Sequence, residues 1–296
     1  MANILICGAG SIGIFLGVKL CAKGNEVTLF GRRKLMEIED KVIIENREFN
    51  IPEKNFKIPK NRKYDFVFIT TKLYDFDRMI QTIKNSKIKP RIISAVQNGL
   101  VDISRHGRIL RKKIIPVTVF SGFNLKDREI HVSPTPLGWK TEYSDEGKKI
   151  SSLLLRAGIP CKPARNFDSL RAEKTIVNCC LNALSAIENK PFCDLFRNKK
   201  TRQKINALFD ECYVILKKEY PLESAEKVKK RMFSHWKNLN HYSSTHQDIH
   251  SGRQIETAFF NGYIILLGKK YSLPFKNNKE ILEEIKKITN RQCLKT

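Results

Sequence analysis

The feature that most constrains the fold is a glycine pattern close to the N-terminus. The six residues from Gly8 to Gly13 read GAGSIG and follow a short apolar run, Asn3 to Cys7. They lead into Ser11 to Lys23, where apolar residues recur at helical spacing, and Glu26 to Phe30 is apolar and β-prone again. A G-x-G-x-x-G pattern between a strand and a helix is typical of a dinucleotide-binding βαβ unit.

Each glycine of this pattern has a separate physical purpose. Gly8 permits a tight turn, Gly10 lets the backbone approach a pyrophosphate, and Gly13 lets the helix pack on the strand. The helix N-terminus favours the phosphate charge. The alternative is a merely glycine-rich turn, which the position inside a βαβ unit disfavours. The predicted cofactor-binding residues here are Gly8, Gly10, Ser11, Ile12 and Gly13.

The end of the second predicted strand bears on which dinucleotide is bound. An NAD-binding protein places an Asp or Glu there, on the adenosine ribose. This chain has cations in that place, in the segment Phe30 to Lys34, FGRRK. Guanidinium groups suit a 2′-phosphate, so we predict NADP(H), bound through Arg32. The alternative is that Arg32 and Arg33 are ordinary solvated charges in a basic protein.

Further buried strands alternate with helices in the N-terminal half, which predicts a doubly wound parallel sheet. The predicted strands are Phe66 to Thr70, Ile92 to Val96 and Ile114 to Val119, and the helices between them are Tyr74 to Ile83 and Val101 to Leu110. A pair of short strands within Glu129 to Gly138 and a helix at Gly147 to Arg156 follow.

The C-terminal half has long helical periodicities and hardly any strand signal. The predicted helices are Ser169 to Asn189, Thr201 to Lys218, Ser224 to Trp236, Asp248 to Gly268 and Glu280 to Thr289. A chain of 296 residues is also long enough for two cores. We therefore predict an α/β protein with a Rossmann domain at residues 1–166 and an all-α substrate and catalytic domain at residues 167–296.

Polar residues follow two predicted strands, where an open α/β sheet binds its ligands. Thr70 to Lys72 follows one strand and Gln97 to Gly99 the next. Lys72 and Asn98 are predicted to contact the cofactor, and Asn98 the substrate too. For Lys72 a merely solvated lysine is the alternative.

In the helical half, Lys174, Asn178 and Asn182 are spaced at i, i+4 and i+8 and share one helix face. Apolar residues occupy much of the remaining circumference, and polar groups in such a setting need partners. The face is either a solvated stripe or the wall of a cleft between the domains.

A hydroxyl-rich loop from His241 to Asp248 leads into the predicted helix that carries Glu256. Its histidines lack the pairing with Cys or carboxylate that a zinc or iron site shows, and the eight cysteines contain no CxxC pair. No metal site is predicted.

The formal net charge is +25, which favours anionic partners. The lysines and arginines are spread along the whole chain without a nucleic-acid-binding motif, so no specific nucleic acid is predicted. The alternatives are a solvated basic surface and steering of a small anion.

No apolar run is long enough to span a membrane and no secretory signal is evident, so a cytoplasmic protein is expected. A homodimer is possible, and the sequence does not determine the oligomeric state.

The ordered set GAGSIG, FGRR, TTK, QNG, EKTIVNCCLNALSAI, HYSSTHQD, GRQIE and FFNG resembles the 2-dehydropantoate 2-reductase (ketopantoate reductase) family over nearly the whole chain. The resemblance implies NADPH-dependent reduction of a 2-keto acid, 2-dehydropantoate to pantoate in pantothenate biosynthesis. It implies that Lys174 is the proton donor and that Glu256 holds the cofactor and orients Lys174. The substrate-binding residues it implies are Asn98, Lys174, Asn178, Asn182, Ser243 and Ser244, and Lys72 would reach NADP.

Three departures from the family pattern bear on the substrate. Ala183 stands where proline is common, Phe192 where asparagine is frequent, and Thr245-His246 where an apolar pair is usual. A pocket that exchanges an amide for Phe192 is expected to prefer a different or bulkier 2-keto acid. The alternatives to the reductase are therefore a related reductase of another 2-keto acid and a noncatalytic NADP-binding or redox-sensing protein.

Overall fold

The computed structural model describes residues 1–100 and 102–293 of the chain. It divides into two compact units, residues 1–167 and the chain from Asp168 onward. The prediction for Val101, the first residue of an expected helix, lies outside the described residues. In the part of the chain that the structure describes, no helix combines the length and the apolar character needed to cross a bilayer.

The first unit is a Rossmann fold, as predicted. Its strands are β1 (Asn3–Cys7), β2 (Glu26–Phe30), β3 (Lys41–Ile44), β4 (Arg47–Asn50), β5 (Glu53–Asn55), β6 (Lys63–Ile69), β7 (Lys89–Val96), β8 (Ile114–Val119), β9 (Gly122–Lys126), β10 (Glu129–Ser133), β11 (Trp139–Glu142) and β12 (Cys161–Ala164). The main sheet has the order β12-β11-β8-β7-β6-β1-β2-β5 and is parallel except where β11 meets β8. The central strands β1 and β6 contain continuous apolar runs, Ile4 to Cys7 and Phe66 to Ile69, because both faces of a parallel sheet are covered.

A second sheet of order β4-β3-β10-β9 belongs to the same unit. The predicted strand pair within Glu129 to Gly138 is wrong in its partner: β10 ends at Ser133 and pairs with β9 instead. Strands β3 to β5 were not predicted at all. Strands β4 and β5 are largely polar, and β3 is apolar only over Val42 to Ile44, a run too short to predict a strand from periodicity.

The helices of the first unit are α1 (Ser11–Cys21), α2 (Phe76–Ser86), α3 (Ile103–Leu110) and α4 (Asp145–Arg156). Helices α3 and α4 begin at side-chain caps. Asp102 accepts from the backbone N–H of Arg105, and the Ser144 hydroxyl accepts from that of Gly147. Helix α1 instead begins after Gly10, which has no side chain to cap it. The first-turn N–H groups of α1 are therefore left to a ligand or to solvent.

The second unit is helical, as predicted. Its helices are α5 (Phe167–Val177, which begins one residue before the unit), α6 (Ala183–Glu188), α7 (Phe192–Arg197), α8 (Lys199–Leu216), α9 (Ala225–Trp236), α10 (Ser244–His250), α11 (Thr257–Tyr271) and α12 (Lys276–Cys293). Between α5 and α6 the chain widens into a π turn, Asn178–Asn182.

Two predicted helices differ in the structure. The single helix expected from Ser169 to Asn189 contains the π turn, and the one expected from Asp248 to Gly268 is divided into α10 and α11. Gly252, with a φ of 62°, ends α10 because glycine adopts the left-handed conformation without strain. Glu256 consequently lies immediately before α11 and not within a helix, which corrects its predicted position.

Candidate active site

Two of the three fingerprint glycines are required by the fold itself. Gly8 has a φ of 124°, and a Cβ there would lie 2.7 Å from the Thr70 hydroxyl oxygen. That hydroxyl donates to the Gly8 carbonyl at 2.8 Å and joins the turn to the end of β6. A Cβ on Gly13 would lie 1.9 Å from the Gly8 carbonyl oxygen. Neither position accepts a side chain without a shift of the backbone.

Gly10 is different, because nothing in the described protein requires a glycine there. Its φ is −83°, which any residue adopts, and a Cβ on it would meet no atom within 4 Å. The missing side chain leaves open space at the uncapped N-terminus of α1, where Ser11 and Ile12 form the first turn. Open space beside unpaired N–H groups fits an approaching phosphate.

Arg32 follows the end of β2, at the position where the sequence predicts a cation. Its guanidinium is largely exposed, and Nη2 lies 2.6 Å from Oδ2 of Asp75. Asp75 ends a short turn, Leu73–Asp75, that follows β6 and precedes α2. Sequence reasoning missed this partner, although Asp75 stands only three residues after the predicted Lys72.

The ends of β6 and β7 are tied together by a side chain. The amide nitrogen of Gln97 donates to the Thr71 carbonyl at 2.9 Å. Among the described residues, the buried Thr71 hydroxyl oxygen and the amide oxygen of Gln97 have no hydrogen-bond partner. Lys72 and Asn98 are half-buried beside them. Buried polar atoms of this kind are expected to find partners, so the strand ends fit a polar ligand.

In the second unit, Asn178 and Asn182 form the two ends of the π turn, and Lys174 lies one turn earlier on α5. Both asparagines are 7% exposed, which rules out a solvated stripe for them. Asn182 donates from Nδ2 to Oδ1 of Asn178 at 3.3 Å, whereas the buried Asn178 Nδ2 has no partner within the described chain. A π turn inside an α-helix is frequent at functional sites.

Lys174 and Glu256 interact electrostatically. Burial lowers the pKa of Lys174 to about 7, because desolvation disfavours the ammonium, and the negative charge of Glu256 acts in the opposite direction. Glu256 is itself buried, just before α11. The lysine therefore changes its charge near neutral pH, the range in which a proton donor is most effective.

The two serines of the loop differ in their surroundings. Ser243 is buried, its hydroxyl donates to the Asn182 carbonyl at 2.8 Å, and it accepts from the backbone N–H of His246 as the cap of α10. These bonds hold α10 to the end of the π turn, and the implied contact of Ser243 with a substrate stays a prediction. Ser244 is half-buried at the first position of α10.

The side chain of Phe192, which stands where asparagine is frequent in the family, packs against other aromatic rings. It is 3% exposed at the start of α7, and its ring centroid lies 5.5 Å from Trp236 and 6.1 Å from His241. Its backbone N–H also donates to the His241 carbonyl. The ring that replaces the family's amide therefore lies in an aromatic cluster formed by Phe192, Trp236 and His241, and His241 stands two residues before Ser243.

The histidines of α10 are stacked on each other. The ring centroids of His246 and His250 are 3.9 Å apart, and a ring nitrogen of His246 lies 2.7 Å from Oδ1 of Asn189. Burial and the neighbouring His250 lower the pKa of His246 to about 4, so it is neutral at pH 7. Over residues 1–100 and 102–293, no three His, Cys, Asp or Glu side chains are grouped as metal ligands.

Comparisons with known proteins cover almost the whole chain. The family model described as ketopantoate reductase PanE/ApbA matches residues 4–137, and the one described as its C-terminal part matches residues 166–289. The chain is 27% identical to the 2-dehydropantoate 2-reductase of Aquifex aeolicus, over 96% of each protein. A PanE/ApbA family ketopantoate reductase from Ralstonia eutropha has a TM-score of 0.86 at 21% identity, covering 98% of this chain and 99% of its own. D-mandelate dehydrogenase with NADH and anilino(oxo)acetate has a TM-score of 0.85 at 20% identity, covering 97% and 98%.

Proposed function

Because the chain belongs to the ketopantoate reductase family, we propose that it reduces a 2-keto acid with NADPH, with 2-dehydropantoate as the first candidate substrate. The observation that carries the proposal is a buried lysine, Lys174, that interacts with Glu256 and lies one helical turn before the buried, hydrogen-bonded pair Asn178 and Asn182. It combines a lysine that titrates near neutral pH with amide groups suited to a small polar anion. The name of the Aquifex aeolicus relative supports the same substrate.

The first unit is proposed to hold the cofactor. The open space at Gly10 and the uncapped first turn of α1 suit the pyrophosphate, and Lys72 and Asn98 are proposed to contact it farther along the sheet edge. Arg32 is proposed to bind the 2′-phosphate, in agreement with the absence of an acid directly after β2. A nicotinamide dinucleotide, when bound, supplies the hydride.

Lys174 is proposed to donate the proton to the carbonyl oxygen of the keto acid. As negative charge develops on this oxygen, the ammonium both stabilises it and transfers a proton to it. Glu256 keeps the proton on Lys174 before the reaction, since its charge raises the pKa that burial lowers. Without this carboxylate, the lysine would hold its proton less strongly at neutral pH.

Asn178, Asn182 and Ser244 are proposed to bind the substrate, and the predicted substrate contact of Asn98 is kept as a proposal. The Asn178 Nδ2 group supports this role, because it has no partner among residues 1–100 and 102–293, and such a buried N–H donor gains most from a carboxylate or hydroxyl ligand. Ser243 is proposed to act through its bonds to the π turn rather than by contact.

The experiment that tests the proposal is NADPH oxidation over a panel of 2-keto acids, with NADH run alongside. The panel contains 2-dehydropantoate, smaller aliphatic keto acids and phenylglyoxylate, the keto acid that corresponds to mandelate. We expect the highest kcat/KM for 2-dehydropantoate with NADPH. A protein that binds NADPH but oxidises it with none of these acids would instead be the noncatalytic NADP-binding alternative.

A further inference from the structure

The π turn that carries Asn178 and Asn182 is held by a side chain from another helix. Asn261 lies on α11, is 0% exposed, and donates from Nδ2 to the backbone carbonyl of Cys179 at 3.1 Å. Cys179 is the second residue of the turn. The backbone hydrogen bonds of a π turn differ from those of a regular α-helix. A side-chain donor at one of the turn's carbonyls therefore stabilises the π turn relative to the α-helix.

The orientation of the Asn261 amide is determined by a chain of buried hydrogen bonds. Its Nδ2 also donates to Oδ1 of Asn278 at 3.0 Å, and Nδ2 of Asn278 donates to Oε2 of Glu211 at 2.9 Å. A carboxylate only accepts hydrogen bonds, so Asn278 must turn its NH2 group toward Glu211 and its oxygen toward Asn261. Asn261 must then present its own NH2 group, and one of its two hydrogens is available for the Cys179 carbonyl.

The carboxylate at the start of this series of hydrogen bonds, that of Glu211, is fixed by further hydrogen bonds. Glu211 on α8 accepts from the backbone N–H groups of Asn277 and Asn278 at 2.8 and 3.0 Å, and from the Asn277 side chain at 2.7 Å. These N–H groups belong to the first turn of α12, where negative charge is favoured. The chain therefore connects α8, α12 and α11 to one carbonyl of the π turn.

We propose that Asn261 is a positioning residue for the substrate site: through the Cys179 carbonyl it maintains the π turn and so the placement of the Asn178 and Asn182 side chains. The effect on substrate rests on the function proposed above, whereas the effect on the turn does not. Asn261 does not itself contact the reacting atoms. Its loss leaves the turn free to relax toward an ordinary helix, which rotates the two asparagines with respect to each other.

The first variant is Asn261→Leu, which keeps the branched shape of the side chain, with bulkier methyl groups, and removes both N–H donors. We expect the KM for the 2-keto acid to rise at least about tenfold, the scale of one lost buried hydrogen bond, with the Kd for NADPH unchanged within about twofold. Amide hydrogen exchange should accelerate at residues 178–184 by a similar factor, with smaller changes in α9. The exchange measurement needs no substrate.

Two further variants complete the test. Ile264→Ala removes an equally buried but apolar group from the same helix and should lower the melting temperature without the selective rise in KM. Glu211→Gln disturbs the orientation of Asn278 from the far end of the chain and should reproduce the faster exchange at residues 178–184 in weaker form. If Asn261→Leu does not fold, the exchange rates of Glu211→Gln at residues 178–184 test the proposal instead.

Wild-type exchange at residues 178–184 in folded Asn261→Leu would overturn the proposal, whatever the activity. Faster exchange there with an unchanged KM would also overturn it, because the turn would then not position the substrate. Faster exchange in a protein whose wild type reduces no 2-keto acid would contradict the proposed function alone.

Discussion

The guanidinium of Arg32 lies 2.6 Å from the carboxylate of Asp75, so the cation that follows β2 is paired with an acid that follows β6. A 2′-phosphate that binds Arg32 must compete with this acid or lie beside it. Since Arg32 is largely exposed, the pair itself is worth less than about 1 kcal/mol. If Arg32 binds the 2′-phosphate as proposed, we expect Asp75 to reduce the preference for NADP without removing it.

Removing the charge of Asp75 should tighten NADPH binding. We expect Asp75→Asn to lower the Kd for NADPH by up to about fivefold, with little change for NADH, because only the 2′-phosphate is repelled. Arg32→Ala should weaken NADPH at least about tenfold, the effect of a lost charge-assisted hydrogen bond. Fluorescence titration with both cofactors measures this, and Arg33→Ala is the matched control. Equal effects on NADPH and NADH would mean that Arg32 does not contact the 2′-phosphate.

A side chain at Gly10 should affect the cofactor and not the fold. A Cβ there meets no atom of the described residues within 4 Å, so Gly10→Ala is expected to change the free energy of unfolding by less than about 1 kcal/mol. The same Cβ occupies the space assigned to the pyrophosphate, so the Kd for NADPH should rise at least about tenfold. Gly13→Ala is the contrasting variant, because its Cβ collides with the Gly8 carbonyl and should destabilise the domain itself. Unchanged affinity in Gly10→Ala would place the pyrophosphate elsewhere.

The pH dependence of the reaction follows from the lysine. If Lys174 donates the proton as proposed, reduction needs its ammonium form. Because the pKa of Lys174 is lowered to about 7, kcat/KM for keto acid reduction should then fall as the pH rises through that value. Oxidation of the hydroxy acid needs the neutral amine and should rise over the same range. Glu256 raises this pKa, so Glu256→Gln should move both transitions to lower pH. If Glu256→Gln does not shift the midpoint of the pH profile, the titrating group is not Lys174.

Substitutions of Ser243 and Ser244 are expected to have different effects, the first on the stability of the fold and the second on substrate binding. Ser243→Ala removes a helix cap and the bond to the Asn182 carbonyl, and should cost about 1–2 kcal/mol of unfolding free energy. Ser244→Ala should leave the melting temperature nearly unchanged and raise the KM for the keto acid. Thermal denaturation and steady-state kinetics of both variants distinguish these effects. A larger rise in KM for Ser243→Ala than for Ser244→Ala would reverse the assignment.

The local features with a strong periodic or glycine signal could be predicted from the sequence. The fingerprint at Gly8 to Gly13 appears in the structure between β1 and α1, since its conformational demands are local. The adjacency of the Asn178 and Asn182 side chains was also predictable from their i, i+4 spacing, and the two are hydrogen-bonded. These features suffice for the fold class and for one part of the candidate site.

The remaining features depend on contacts between residues distant in sequence. The widening of the helix at Asn178–Asn182 has no periodic signature, and the donor that supports it, Asn261, is 82 positions away from Cys179. Asp75 opposes Arg32 only because β6 is a neighbour of β1 in the sheet and β1 of β2. Phe192 could be recognised as unusual, but its packing on Trp236 depends on the position of α9.

The central claim is that Lys174 is the proton donor of an NADPH-dependent keto acid reductase. The most direct test is the kcat of Lys174→Ala with NADPH and the best 2-keto acid of the panel, compared with Lys204→Ala, which removes a surface lysine 3.8 Å from Glu284. We expect Lys174→Ala to lose at least about a hundredfold in kcat, the scale of a lost general acid, with the Kd for NADPH nearly unchanged and Lys204→Ala fully active. A near wild-type kcat in Lys174→Ala would contradict the assignment.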